Sequence, residues 1–256
     1  MSLPWSKPAT IALAPEGIAL RASGSDGARL LKSLDQPLAW EFLLQELRAM
    51  AGELGLKRVR FVLSSQFVRY AVPPAQTGVV SGRDWQALSE HHLRKLYGAV
   101  ADNWEVRVAL QGHAEPAVAC AVDRALIAAL EDVAQGARWQ LHGIEPALMA
   151  VFNQHRRTLP ASYWLLLAEP QRLLLASVAD GIWQRFSVAL PPAGEEKQAA
   201  QQMLERAMQH GDGKVPPQLA CFGESALLPA AAPSGMRLLR LPQPAGLTSP
   251  LLLAGL

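Results

Sequence analysis

A chain of 256 residues, half of them hydrophobic and 18% charged, is long and apolar enough to bury one large core or two smaller ones, which excludes a disordered chain. Its net charge of +2 comes without a basic run, so nucleic-acid binding lacks electrostatic support. No stretch approaches the ~20 apolar residues that cross a bilayer. "MSLPWSKPAT" lacks the basic flank and apolar run of a secretory signal, so a soluble cytoplasmic chain without direct membrane insertion is expected.

The chain opens with a strand, a turn and a strand. "IALAPEGIALRA" places short apolar runs, Ile11–Ala14 and Ile18–Ser23, around Pro15-Glu16. "GSDG" at 24–27 is a further turn, and 28–34 a third strand. Asp35-Gln36-Pro37 then starts a helix in which Trp40, Leu43, Leu44, Leu47, Met50, Ala51 and Leu54 recur at helical spacing, with Gly55 as its stop. "RVRFVLSSQFVRYAVPP" is a long strand, broken near Ser64-Ser65 and ended by Pro73-Pro74.

The middle differs. Residues 82–98 form a helix, and 104–112 and 115–122 form paired strands. A helix starts on Asp123, whose carboxylate suits an N-cap. "RWQLHGI" is a strand, and "EPALMAVFNQHR" a helix with Pro146 at its first turn.

From residue 163 the opening order repeats. "YWLLLA", "RLLLASVA" and "IWQRFSVALPP" are strands separated by "EPQ" and by the hairpin turn "DG". A helix follows, with Glu195 and Glu196 suiting its N-terminal dipole. "QLACFG" and "MRLLRLP" are the closing strands. βββαβ therefore occurs twice, about 150 residues apart, which is the outline of the duplicated actin/RNase H-like fold. The expected division is 1–158 for the first lobe, with a small inserted α+β subdomain at about 82–136, and 159–256 for the second.

Three stretches carry a resemblance to a known family. They are "ACAVDRALIAALEDVAQGARWQLHGIEPALMAVFN" (119–153), "VLSSQFVRYAVPP" and the closing "LTSPLLLAGL". The order of elements resembles the PilM proteins of type IV pilus assembly. It also resembles the cytoplasmic actin-like part of the type II secretion L protein, GspL. The resemblance implies two actin-like lobes with two phosphate loops and one adenosine loop.

Each loop departs from an ATP-binding pattern. The first reads Ala14-Pro15-Glu16-Gly17, where Pro15 has no amide hydrogen for a phosphate and Glu16 replaces the usual Asp. The second, Glu169-Pro170-Gln171, has no glycine to let backbone amides approach a phosphate. The third keeps Gly223 but has Phe222 where the resemblance calls for a second glycine. The resemblance therefore implies degenerate nucleotide loops and no cofactor. The alternative is an actin-like ATP-binding protein or ATPase with unusual loops.

Other chemistry is sparse. Cys120 and Cys221 sit in apolar contexts and read as buried free thiols of a reducing compartment. His91 and His92 point about 100° apart on a helix and do not share one metal. His113, His142, His155 and His210 stand alone and read as surface or capping residues. Ser225 in "FGESALLP" lacks the G-x-S-x-G pattern of a nucleophile. Seven tryptophans against three tyrosines supply large apolar anchors; Trp40 and Trp85 are expected in the core and Trp183 at a strand edge.

The expectation is a non-enzymatic, actin-like scaffold of a pilus or secretion system, peripheral to the inner membrane through its partners. The resemblance implies that it takes up the short cytoplasmic tail of an inner-membrane assembly protein in a groove, with an assembly ATPase as a further partner. Arg69, Tyr70, Val72 and the strand 104–111 are the expected groove wall.

Overall fold

The computed structural model describes residues 7–25, 27–34, 39–76, 78–79, 81–112, 115–209, 218–233, 235–243 and 247–256. The turn residue Asp26, the helix start expected at Asp35-Gln36-Pro37, Trp5, His113 and His210 lie outside them. The chain divides into two units, one of residues 1–68, 123–154 and 243–256, the other of 69–122 and 155–242.

The first unit is built on a five-stranded sheet. β1 (Ala9–Ala14), β2 (Gly17–Arg21), β3 (Arg29–Ser33), β4 (Arg58–Leu63) and β8 (Gln140–Pro146) lie in the order β3-β2-β1-β4-β8. β1 pairs antiparallel with β2 and parallel with β4, and β4 pairs parallel with β8. α1 (Trp40–Ala51) lies between β3 and β4 in sequence and packs with α3 (Arg124–Gly136). α1 stops at Gly52 instead of Gly55. The Asp123 carboxylate caps α3 as expected, accepting the Ala125 N–H at 2.8 Å.

Alternation along these strands separates large from small side chains. Ile11 and Leu13 share one face. Thr10, Ala12 and Ala14 share the other, opposite Arg21, Ala19 and Gly17 of β2. The small face leaves room for α6 (Ser249–Ala254), which packs on β1 and β2. α4 (Ala147–His155) follows β8; Pro146 is the last residue of that strand and directly precedes the helix.

The second unit holds an equivalent sheet. β9 (Tyr163–Glu169), β10 (Arg172–Ala179), β11 (Ile182–Ala189), β12 (Gln218–Gly223) and β13 (Arg237–Arg240) lie in the order β11-β10-β9-β12-β13. α5 (Glu196–Gln209) covers it through Ala200, Met203 and Leu204, which join Trp164, Leu166, Leu173, Leu219 and Cys221 in one core. The two sheets share one strand order and one βββαβ sequence, so the expected duplication is present.

A third sheet also lies largely in the second unit. β5 (Val68–Ala71), β6 (Trp104–Ala109) and β7 (Val118–Asp123) run in the order β5-β7-β6. α2 (Gly82–Tyr97) packs on β6, with Leu93 meeting Val106, Ala119, Ala121 and Ala71. Ser81 and Asp84 close a capping box at its start. The break at Ser64-Ser65 thus has a larger consequence than a kink. The Ser64 hydroxyl accepts the Gln66 N–H at 3.1 Å and caps a short 3-10 turn. The chain leaves the first sheet at β4 and joins the third at β5.

Candidate functional site

The first expected phosphate loop is a two-residue hairpin turn. Ala14 and Gly17 form the last pair of the β1–β2 ladder, leaving Pro15-Glu16 as the turn. Pro15 is buried and has no N–H. Glu16 is held from two sides: its Oε1 accepts Gln66 Nε2 at 3.2 Å, and its carbonyl accepts the Leu34 N–H at 2.9 Å. Gly17, the one glycine here, is required by a neighbouring strand. With φ at +153°, a Cβ on it would stand 2.3 Å from the Lys32 carbonyl oxygen.

The second loop is also a two-residue turn, Pro170-Gln171, closed by the pair Glu169–Arg172. Gln171 takes φ +55°, a left-handed conformation for a non-glycine residue. Its N–H donates to Glu196 Oε1 at 3.2 Å, and the Gly194 N–H donates to Glu196 Oε2 at 2.8 Å. Glu196 is buried at the first position of α5, where the helix dipole favours an anion. A carboxylate of the chain itself thus occupies two backbone donors beside this loop. Glu169 and Arg172 are both buried. Burial, with the neighbouring Arg69 guanidinium, lowers the Arg172 pKa, and Glu169, Tyr70 and Tyr97 oppose the shift.

The third loop follows β12. Gly223 pairs with Ala168 of β9, and a Cβ on it would lie 2.0 Å from the Ala168 carbonyl oxygen. This glycine too serves contact between strands. Phe222 is buried, its ring centroid 6.1 Å from that of His155. His155, expected at the surface or as a cap, is instead a buried residue ending α4. Its Nε2 has no hydrogen-bond partner among the described residues, and burial lowers its pKa.

Arg69 and Tyr70 lie on β5, a terminal strand of the third sheet, and Val72 directly follows it. β6 is the other terminal strand, so β7 separates it from these residues. Tyr70 is buried and meets Phe186 of β11 at 5.4 Å with the rings tilted by 39°, and Phe186 in turn meets Trp183 at 5.6 Å. Arg69 is half-buried, its guanidinium carbon 6.0 Å from the Trp104 ring centroid. Tyr97 meets Trp104 edge-on at 5.0 Å. Near this sheet Leu96, Tyr97, Val100 and Leu110 expose apolar surface.

Sequence reasoning missed Gln111. Its side-chain Oε1 accepts the Trp183 N–H at 2.6 Å while its Nε2 donates to the Trp183 carbonyl at 2.9 Å. The carboxamide thereby pairs with β11, the terminal strand of the second sheet, as a neighbouring strand would. Trp183 is buried on that edge strand, Trp85 is buried and Trp40 half-buried. His91 is exposed and His92 half-buried on α2; His142 is exposed, 3.5 Å from Arg58. Ser225 lies exposed in a turn. Both cysteines are free thiols; Cys221 is buried as expected, while Cys120 is half-buried.

No family model matches the chain. No curated protein matches it. Solved structures do match. One is the cytoplasmic domain of EpsL, an inner-membrane component of the type II secretion system of Vibrio cholerae, with a TM-score of 0.62 and 13% identity over 96% of this chain and 93% of that one. Another is a PilM–PilN type IV pilus biogenesis complex, at 0.57 and 12% over 92% and 91%. A third, from Bacteroides thetaiotaomicron, has an actin-like ATPase fold and unknown function, at 0.53 and 11% over 84% and 81%. The chain therefore has the actin-like ATPase fold, and the likeness to the type II secretion and type IV pilus proteins expected from the sequence is present in three dimensions.

Proposed function

We propose that the chain is a non-enzymatic, actin-like scaffold of a type II secretion or type IV pilus assembly. It acts by gripping the cytoplasmic tail of an inner-membrane assembly protein. The observation that carries this reading is that the chain's own groups engage the three turns expected as nucleotide loops. Glu196 takes two amides beside the second loop, Pro15 offers none in the first, and Gly17 and Gly223 are spoken for by Lys32 and Ala168. A phosphate cradle needs free, convergent N–H groups. Likeness to an inner-membrane secretion component and to a complex of two pilus proteins supports the assignment to such machinery. Among the described residues no helix is long and apolar enough to cross a membrane.

The tail binds as an extended peptide along the third sheet, with backbone pairing to a terminal strand and a few apolar pockets. Arg69 and Val72 supply side-chain contacts, and the packed Tyr70 and Phe186 rings form a support behind them. An assembly ATPase is a further partner. The test is a binding measurement between the protein and fluorescent peptides covering the cytoplasmic tails of membrane proteins encoded beside it. Saturable binding to one peptide, weakened at least tenfold by R69E, is expected. Failure of every peptide would overturn the reading.

A further inference from the structure

The face of the first sheet that receives α6 carries a polar row at one end. Thr10 pairs with Arg21 on β2 and with Arg60 on β4, and Arg60 pairs with Gly143 on β8. Residues directly opposite in a sheet project to the same face. Arg21, Thr10 and Arg60 therefore emerge side by side. A cavity of about 440 Å³ opens over this row, lined also by Lys7, His142 and Glu145.

The cavity is cationic once its internal pairs are taken out. Arg60 Nη1 donates to Glu145 Oε2 at 3.1 Å and its Nη2 to Thr10 Oγ1 at 3.1 Å. Asn153 Nδ2 donates to the second oxygen of Glu145 at 2.8 Å, so that carboxylate is fixed on Arg60. Lys7 and Arg21 remain as positive charges beyond the Arg60–Glu145 pair, and Leu256 also lines the cavity. Arg21 gives one hydrogen bond to the Gly255 carbonyl at 2.6 Å, leaving further donors on its guanidinium fork. Burial, and then the Arg60 guanidinium, lower its pKa, so its charge is disfavoured as the row stands. The space over Gly143 is open: a Cβ built there meets nothing within 4 Å.

We propose that this cavity binds a phosphate monoester. Arg21 engages the phosphate oxygens through its fork, Lys7 through its ammonium, and the Arg60–Thr10 pair forms the floor. The volume exceeds that of phosphate itself and lies in the range of small-molecule sites, so it admits a small organic group beside the phosphate. The same chemistry is offered by a soluble phosphorylated metabolite and by a phosphatidic acid headgroup.

Calorimetric titration at fixed ionic strength, with glycerol 3-phosphate, inorganic phosphate and acetate as probes, tests this. A parallel sedimentation uses phosphatidylcholine vesicles with and without phosphatidic acid. One-site binding of both phosphates, with acetate silent, is expected to weaken about tenfold or more in K7Q and R21Q. It should vanish in G143L, which fills the cavity, and persist in R185Q, which removes an exposed arginine of the other unit. Binding to phosphatidic acid vesicles alone, lost in K7Q, would assign the headgroup as the source. No saturable binding in either arm, or binding that K7Q and G143L leave intact, would overturn the proposal; neither variant removes a buried group, so they decide the matter even if R21Q does not fold.

Discussion

Glu196 Oε1 accepts the backbone N–H of Gln171 at 3.2 Å, across 25 positions of sequence. With the Gly194 N–H on its other oxygen at 2.8 Å, this buried carboxylate joins the second hairpin to the start of α5. Hydrogen bonds to a charged group are the stronger kind. The contact also satisfies an amide of the turn expected as the second phosphate loop.

Removing the carboxylate tests its structural weight. E196A orphans both N–H groups and is expected to lower unfolding stability by about 2 kcal/mol. E196Q keeps one acceptor oxygen and should lie between E196A and the wild type. Urea denaturation of the three proteins gives the ranking, and equal midpoints would deny the contact its role.

The two loop glycines have a sharper signature. Alanine at Gly223 or Gly17 would place Cβ 2.0 or 2.3 Å from a backbone oxygen of a paired strand. Each substitution is expected to cost about 3 kcal/mol through strain and displacement. Gly181, at φ +81° with nothing within 4 Å of a built Cβ, provides the contrast; G181A should cost about 1 kcal/mol. Thermal unfolding of the three variants checks the order.

The thiols should be inert in the folded protein. Burial pushes the Cys120 thiol up to about 11 and the Cys221 thiol up to about 12. A disulfide reagent at pH 8 is expected to leave both untouched for the lifetime of the folded state, then to react with two thiols in denaturant.

His155 makes stability acid-sensitive. Its folded pKa is lowered by burial, so the unfolded chain binds the proton more readily. The full contribution is present above the unfolded value near 6.5, and falls as the pH drops from there through the folded pKa. H155F is expected to flatten the denaturation profile over that window. An unchanged slope would show that other groups carry it.

Much of the fold is legible along the chain because its signals are local. The Pro15-Glu16 and Asp180-Gly181 turns, the Asp123 cap and the twice-repeated strand order all follow from neighbours in sequence. The partners of those elements are not local. Nothing in "RVRFVLSSQFVRYAVPP" announces that its two halves enter different sheets, although Ser64 marks where they part. Glu196 reads as a helix-dipole residue, and only its burial against the Pro170-Gln171 turn reveals the second half of its role. Gly17 and Gly223 look like remnants of phosphate loops until the approach of Lys32 and Ala168 explains them. Gln111 and the Arg21–Thr10–Arg60 row depend on register, which spacing along one strand does not disclose.

The central claim is that the actin-like fold here has given its nucleotide loops over to structure. Calorimetric titration of magnesium ATP into the protein tests it most directly. The account predicts no saturable heat and no thermal stabilisation. One-site binding, with the ~2.7 kcal/mol of added stability that a ligand at 100 times its Kd confers, would contradict it.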